Sequence, residues 1–290
     1  MLKKKTWLCA MIVGVMSPYL WACACGCGIF DVSSRPMLPT HPGGMVFLNY
    51  NFLDQFQPVE TNENKQIRTH FWTGEVQYLF NRQWGIQAEL PVWFRSVKND
   101  EDTSFSSLGD IRINGIYTGL SPDMSTGFTF GVKLATGETT HLGLERDLQI
   151  GSGSTDILLG AYQLKTLDNE GLWTAFGQIQ VNFPMLISGD YRPGSELDAV
   201  IGLHYHGWTV GEYTLSPVLQ ATSTSRWMDS GLNADSDNSG YQRLLVSPGL
   251  EVNMGDWCAY TILGFPIIDH VNGAQLIAPN YFKLSIGRSF

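Results

Sequence analysis

The chain has 290 residues, of which 16% are charged and 31 are glycine. This composition is too apolar for a disordered protein, and the length suits a single domain. The net charge of -9 becomes -12 once three lysines are removed with an N-terminal export signal, and this acidic balance argues against nucleic-acid binding.

The first residues have the layout of a secretory signal peptide. Three lysines at positions 3–5 form a positive region, and residues 7–20 form an apolar run that is too short for a comfortable membrane span. A small-residue cleavage sequence ends at Ala24, which predicts that residues 1–24 form the signal peptide. The alternative is a lipoprotein-type cut before Cys23, where a bulky tryptophan precedes the cut and makes a poor recognition sequence.

Three cysteines lie close together at the predicted mature N-terminus. Cys23, Cys25 and Cys27 alternate with small residues, and the last two remain after cleavage. Closely spaced thiolates favour soft metals such as copper(I) or zinc, or an iron-sulfur cluster. The alternatives are a remnant of the signal and oxidation to disulfides in the periplasm. Residues 25–43 also contain three prolines, which predicts an irregular periplasmic or luminal segment before the first strand.

The remaining residues, 44–290, show repeated period-two alternation of apolar and polar side chains. No further stretch is long and apolar enough for a transmembrane helix, so an exported chain of this kind is expected to enter a membrane as a closed barrel. We predict an all-β fold, a transmembrane antiparallel up-and-down barrel of about twelve strands in the bacterial outer membrane. A soluble periplasmic β-sandwich is the alternative, because its strands also alternate. The strands are predicted at 44–55, 67–81, 84–97, 109–120, 126–137, 154–166, 172–184, 196–207, 211–223, 241–254, 257–267 and 279–290.

The connections between these strands alternate in length. Short connections contain Gly, Asn, Asp or Pro, which favour tight turns, and the others are long and polar. Short periplasmic turns and long extracellular loops are typical of outer-membrane barrels, and an even number of strands leaves both chain ends in the periplasm. The long loops are predicted at about 56–66, 98–108, 138–153, 185–195, 224–240 and 268–278.

Strand parity assigns the polar side chains to the lumen of the barrel. On the second predicted strand Trp72, Val76 and Tyr78 face outward, whereas Glu75 faces inward. Mixed charge inside a barrel predicts a narrow water-filled pore, or a lumen that its own ion pairs close. A channel or transporter would select a small solute by its width and by rings of charge. The predicted lumen-lining residues are Glu75, Glu89, Arg95, Arg112, Lys133, Glu251 and Lys283.

Three short motifs follow one another in the middle of the chain. They are Gly109-Asp110, the segment 131–137 ending in Ala-Thr-Gly, and the segment 151–156 with the sequence Gly-Ser-Gly-Ser-Thr-Asp. Over residues 105–165 the sequence resembles the outer-membrane family named for the MetA pathway of phenol degradation, although Ala135 replaces the usual proline. The resemblance implies a barrel and a transport function. Asp110 and Asp156 are expected to accept hydrogen bonds from loop N–H groups.

Two histidines and a cysteine are predicted near the periplasmic mouth of the barrel. His204 and His206 share the inward parity of one strand and are about 7 Å apart along it. Cys258 begins another strand at the same level. Together with Cys25 and Cys27, these residues would bind copper or zinc, and the alternative is a polar lining of the lumen. The second functional hypothesis is therefore a metal- or redox-linked barrel, which binds a soft metal or docks a periplasmic partner.

The C-terminal segment alternates up to an aromatic residue, Phe290. A period-two strand that ends on an aromatic residue is the C-terminus expected of an outer-membrane barrel, where the ring would contact lipid. Histidines at positions 141 and 270 fall in predicted loops without an accompanying nucleophile motif. The sequence therefore predicts no catalytic site.

Overall fold

The protein consists of β-strands joined by turns and loops. The computed structural model describes residues 38, 41–56, 66–98, 102–141, 148–187, 189–273, 275, 276, 278 and 280–290. No helix within these residues has the length and hydropathy to cross a membrane. Their strands are β1 (Gly43–Phe56), β2 (Gln66–Leu79), β3 (Trp84–Lys98), β4 (Thr103–Leu108), β5 (Arg112–Tyr117), β6 (Thr126–Lys133), β7 (Ser154–Thr166), β8 (Trp173–Ile187), β9 (Glu196–Tyr205), β10 (Trp208–Val210), β11 (Tyr213–Arg226), β12 (Tyr241–Met254), β13 (Trp257–Val271) and β14 (Tyr281–Ser289).

The strands form one antiparallel sheet that closes on itself. β1 pairs with both β2 and β14, and β9 pairs with β11 at the other end of the strand order. β4 and β5 both pair with β3 and form two segments of one wall strand, while β10 continues β9 along β11. The fourteen strand segments of the described residues thus make twelve wall strands. The predicted twelve-stranded up-and-down barrel is confirmed.

The two faces of each strand have opposite chemistry, as β2 illustrates. Its outward side chains Trp72, Val76 and Tyr78 are 41 to 48% exposed, whereas inward Glu75 and Gln77 are at most 3% exposed. A protein in water would bury the apolar set instead. An apolar exterior and a polar interior suit a barrel whose outside contacts lipid, because a closed strand ladder pairs the backbone groups of neighbouring strands all the way round.

Four of the five prolines within the strands of the described residues coincide with irregular points of the sheet; the exception, Pro248, lies in regular pairing with Leu219. Pro91 lies opposite the link between β4 and β5, and Pro217 lies opposite the break between β9 and β10. Pro184 and Pro266 both lie at register shifts. A proline has no N–H for the ladder, so a sheet accepts it where pairing is already interrupted.

The fourth and fifth wall strands differ from their predicted bounds. β4 occupies much of the loop predicted at 98–108, and residues 109–111 form an irregular link inside the strand predicted at 109–120. At this link the N–H of Gly109 donates to the carbonyl of Pro91 at 2.8 Å, and a Cβ on Gly109 would lie 2.9 Å from Trp93 Nε1. The strand predicted at 126–137 also ends early, at residue 133. Period-two alternation did not reveal either interruption, because tertiary contacts of the backbone cause them.

Short turns gather at one end of the barrel together with Gly43 and Phe290. Asp168 lies in the turn between β7 and β8, and its carboxylate accepts hydrogen bonds from the backbone N–H groups of Trp173 and Leu172. The Trp173 hydrogen bond is the main cause that lowers the pKa of Asp168. Side-chain acceptors of this kind hold a tight turn. Short turns lie on the periplasmic side of outer-membrane barrels, so this end is periplasmic.

One residue before β1 lies inside the barrel. Leu38 is 3% exposed and packs in a buried cluster with Leu53, Phe71 and Tyr281, which are on the inward faces of β1, β2 and β14. Of the segment predicted at 25–43, the structure describes Leu38 and residues 41–43. The predicted signal peptide, residues 1–24, lies outside the described residues, and its cleavage stays a prediction.

Candidate functional site

A row of charged side chains crosses five neighbouring wall strands, along one line of cross-strand pairs. Glu75, Glu89, Arg112, Lys133 and Asp156 are cross-strand neighbours on β2, β3, β5, β6 and β7. All five side chains face the lumen, since each belongs to the buried parity of its strand. Along this row, which we call the charge belt, two carboxylates are followed by two cations and a further carboxylate.

Ion pairs connect the members of the charge belt. Arg112 Nη1 lies 3.9 Å from Glu89 Oε2, and Lys133 Nζ lies 2.5 Å from Asp156 Oδ2. Lys133 Nζ is also 3.9 Å from Asp110 Oδ2. These pairs are largely screened from solvent, so each charge depends on its partner for stabilisation. Four of the five belt charges are therefore paired and largely buried.

A cavity of about 80 Å³ lies against the charge belt. This volume is enough for several water molecules. Asn182, Glu196 and Arg226 line it from β8, β9 and β11, so the cavity extends across the lumen. Phe71 and Trp93 add an aromatic pair, with ring centroids 4.5 Å apart in an edge-on arrangement. The cavity can thus contact a solute with charged, amide and aromatic groups together.

The loop between β6 and β7 is anchored by Asp110. The Asp110 carboxylate accepts hydrogen bonds from the backbone N–H groups of Gly137 and Ser152, both at 2.9 Å. Gly137 also packs directly on Gly151, where an added Cβ would lie 2.3 Å from the carbonyl oxygen of Gly137. The three sequence motifs therefore meet at one point in space, and the expected capping by Asp110 is present. Asp156 differs, because it pairs with Lys133 and accepts a hydrogen bond from the Ser154 hydroxyl at 2.6 Å.

The anchored loop enters the lumen on the extracellular side of the charge belt. Leu148 and Ile150 are 3% and 2% exposed, and Leu148 packs with Ile67 and other buried side chains of the wall. Arg95 Nη1 donates to the carbonyl oxygens of Leu148 at 2.7 Å and Gln149 at 3.2 Å. Arg95 thus holds a loop backbone, a role that its inward parity alone did not predict.

At the periplasmic end, the two predicted histidines contact each other. His204 Nδ1 and His206 Nε2 are 2.8 Å apart, and His204 Nε2 lies 3.2 Å from Glu251 Oε2. Cys258 shares the inward parity of β13 and is the cross-strand neighbour of Asn253, whose amide donates to Glu251 at 2.7 Å. These residues form a continuous polar group. Within the described part of the chain, no three His, Cys, Asp or Glu residues are arranged to hold a metal ion.

The predicted site residues lie at several depths of the lumen. The charge belt runs obliquely, from Glu75 near the periplasmic end of β2 to Asp156 near the extracellular end of β7. Arg95 lies on the extracellular side of Glu89 on β3, and Glu251 lies with the histidines, whereas Lys283 is 2% exposed on β14. Cys25 and Cys27 lie outside the described residues. Sequence reasoning missed Glu196 and Arg226 in the cavity. Arg226 lies beyond the predicted end of its strand at 223, but its parity, continued by three residues, would have indicated the lumen.

A closed antiparallel barrel with an apolar exterior and a polar interior is the fold of bacterial outer-membrane proteins. The protein is therefore an integral β-barrel of the outer membrane. No protein-family model matches the sequence, and no curated protein matches it.

Solved outer-membrane barrels are similar to the chain in structure. An outer-membrane channel from Pseudomonas putida F1 has a TM-score of 0.65 and 13% identity, and the match covers 90% of this chain and 100% of that one. The β domain of the Bordetella autotransporter BrkA has a TM-score of 0.53 and 11% identity, over 86% of this chain and 100% of that one. At these identities the similarity establishes the fold.

Proposed function

We propose that the protein is an outer-membrane channel that passes a small solute through its polar lumen. The observation that carries the proposal is the cavity beside the charge belt, because it extends from β1 to β11 and thus lies in the path of any solute. A solute in the cavity contacts both signs of charge at fixed positions, and such rings of charge select permeating species. The P. putida protein of the same fold is described as an outer-membrane channel, which supports this function.

The finer proposal is membership of the transporter family named for the MetA pathway of phenol degradation. Its support is the convergence of the family-like motifs on the anchored loop, where Asp110, Gly137 and Ser152 are in direct contact. Phe71 and Trp93 in the cavity wall suit an aromatic or otherwise partly apolar solute.

Planar bilayer recordings test the channel function. The purified protein should give small, resolvable conductance steps, because the loop containing Leu148 and Ile150 narrows the lumen. Asp110→Ala should raise the conductance, since it removes the acceptor that holds this loop inward. Asp123→Ala is the matched control, because Asp123 also accepts backbone and hydroxyl hydrogen bonds but lies in a periplasmic turn. A protein that stays silent in both the wild-type and the Asp110→Ala form would contradict the channel function.

We propose a second function from the contact between His204 and His206, namely a soft-metal site at the periplasmic mouth. Inward-facing Cys258 and the two N-terminal cysteines, Cys25 and Cys27, would complete it with copper or zinc. A docked periplasmic electron carrier would then be the partner.

Metal analysis of reduced, correctly processed protein tests this second function. About one copper or zinc ion per barrel is expected, and the double replacement of Cys25 and Cys27 by serine should abolish binding. His70→Gln is the control, because His70 lies on the outward face and bonds to Tyr50 at 2.8 Å. Metal-free reduced protein, or binding that survives the double serine variant, would rule the site out.

A further inference from the structure

The periplasmic half of the lumen is lined by aromatic rings that lie over glycines. Three inward-facing glycines have an aromatic residue as a cross-strand neighbour, and the pairs are Gly127 with Tyr162, Gly202 with Phe176, and Gly287 with Phe47. A Cβ on each glycine would lie 2.2 to 2.6 Å from an atom of its partner ring. The rings therefore lie close to the barrel wall and leave the middle of the lumen to other groups.

These rings belong to a set of apolar side chains near the periplasmic strand ends. Each member faces inward and lies within five residues of the periplasmic end of its strand. We call this set the apolar ring, and its members are Phe47, Ile116, Tyr162, Phe176 and Val218. They are 2 to 4% exposed, and the polar side chains of Gln77 and His204, near the ends of β2 and β9, are at most 1% exposed. A water-filled passage would leave inward side chains accessible, so the lumen is closed at this level.

Leu38 belongs to the same buried cluster as four members of the apolar ring, namely Ile116, Tyr162, Phe176 and Val218. The cluster extends along the lumen, and the reach of the chain decides where Leu38 lies in it. Gly43, the first residue of β1, comes five positions after Leu38, and five residues span at most about 18 Å. That is less than half the length of the 14-residue β1, which is about 46 Å. Leu38 thus lies at the periplasmic end of the cluster, with the apolar ring.

Leu38 differs from the apolar ring in how the chain holds it. The ring residues are part of the hydrogen-bonded strand ladder, whereas the pairing of β1 begins at Gly43, after Leu38. Leu38 can therefore leave the lumen without breaking a backbone pair of the wall. Its contact is apolar, and the burial of one leucine is a small part of the stability of a barrel. The contact is therefore reversible.

We propose that Leu38 is a plug, which closes the lumen when it docks against the apolar ring and opens the lumen when it leaves. An apolar constriction excludes water and hydrated ions by dewetting. The plug is distinct from the loop that Asp110 anchors, because the loop sets the size of a conductance step and the plug sets the fraction of time that the lumen is open. This consequence for permeation rests on the proposed channel function, whereas the contact itself does not.

Thiol labelling tests the contact without any need for conductance. In protein whose native cysteines are replaced by serine, Leu38→Cys should react about tenfold more slowly with a charged thiol reagent than His41→Cys, because the apolar contact keeps position 38 buried most of the time. His41 is the matched control, since it precedes β1 on the same segment and is exposed. Equal rates at positions 38 and 41 in folded protein would overturn the proposal.

Single-channel recordings in planar bilayers test the consequence for permeation. Leu38→Glu should raise the fraction of time in the open state about tenfold, because a carboxylate does not remain against the apolar ring. Leu38→Ile should keep the wild-type fraction, and His41→Glu is the control that adds the same charge at an exposed position of the segment. An unchanged open fraction in Leu38→Glu protein, with conductance steps present, would overturn the plug and leave the channel function standing.

Discussion

At the scale of single residues, neighbouring side chains of one strand have opposite environments. Val132 faces outward and is 38% exposed, whereas Lys133 is buried and its Nζ is 2.5 Å from Asp156. Substitutions at these two positions therefore change the free energy of unfolding for different reasons. Parity alone predicts which face each side chain occupies, but the ion pair of Lys133 is a tertiary contact.

We expect Val132→Arg to lower the free energy of unfolding by about 2 to 4 kcal/mol, the penalty for a cation on the lipid face near the middle of the bilayer. Val132→Leu should be nearly neutral, because it keeps an apolar side chain in lipid. Urea unfolding in lipid vesicles measures both. Equal stability of the arginine and leucine variants would show that residue 132 does not contact hydrocarbon.

We expect Lys133→Gln to lower the free energy of unfolding by about 3 to 5 kcal/mol, because the substitution leaves the buried Asp156 carboxylate without its closest cation. The double variant with Asp156→Asn should recover most of this loss, since both charges are then absent. A double-mutant cycle from the same urea titrations isolates the pair. Additive effects of the two substitutions would mean that the pair contributes no coupling.

At the scale of elements, the loop between β6 and β7 behaves as a folded part of the lumen wall. Asp110 anchors its two ends, and Arg95 holds the carbonyl groups of Leu148 and Gln149. These contacts lie within the polar interior, where water competes weakly for the hydrogen bonds. The described ends of the loop therefore occupy part of the lumen.

We expect Gly151→Ala to release this loop, because the new Cβ would overlap the backbone of Gly137. The cost of such overpacking is about 1 to 3 kcal/mol. Gly74→Ala is the control, since a Cβ on Gly74 meets no atom within 4 Å among the described residues. Limited proteolysis should cut residues 138–148 faster in the Gly151 variant only. Identical cleavage of the two variants would contradict the anchoring role.

At the scale of the whole molecule, closure of the barrel depends on the pairing of its first and last strands. Phe290 and Gly44 exchange two backbone hydrogen bonds of 2.9 Å, beyond the last paired residues of β14. The Phe290 ring occupies the space over Gly44, where a Cβ would meet it, and it stacks near Tyr78 with ring centroids 6.5 Å apart. Phe290 thus stabilises the pairing of β1 with β14 at the periplasmic end.

We expect Phe290→Ser to lower the amount of folded barrel in the outer membrane, because the pairing of β1 with β14 loses its aromatic contact at the lipid interface. Phe282→Ser is the control, since Phe282 is also outward on β14 but lies within the paired strand. Heat-modifiable migration of outer-membrane fractions in gels reports the folded barrel. A normal level of heat-modifiable Phe290→Ser protein would show that the C-terminal ring is dispensable.

Strand number and strand faces could be predicted from the sequence, because lipid outside and water inside impose a strict period of two on every wall strand. The outward set of Trp72, Val76 and Tyr78 and the inward position of Glu75 follow from this period and agree with the structure. The predictions were wrong where the backbone leaves the ladder, as at residues 109–111 and 134–137, since alternation carries no information about a bend.

The candidate site could be predicted only in part. Inward parity identified Glu75, Glu89 and Lys133 as lumen residues, but parity does not say which of them are cross-strand neighbours. That depends on the register between strands, which the irregular link at Asp110 and the shifts at prolines adjust.

The sequence by itself therefore determined the class of fold, the direction of the side chains on strands that alternate, and the end of the barrel that carries the turns, because these depend on local periodicity and turn chemistry. The tertiary structure alone decided the charge belt and the inward loop. The physical reason is that these features join residues that are distant in the chain, through strand register, ion pairs and backbone contacts that no local pattern encodes.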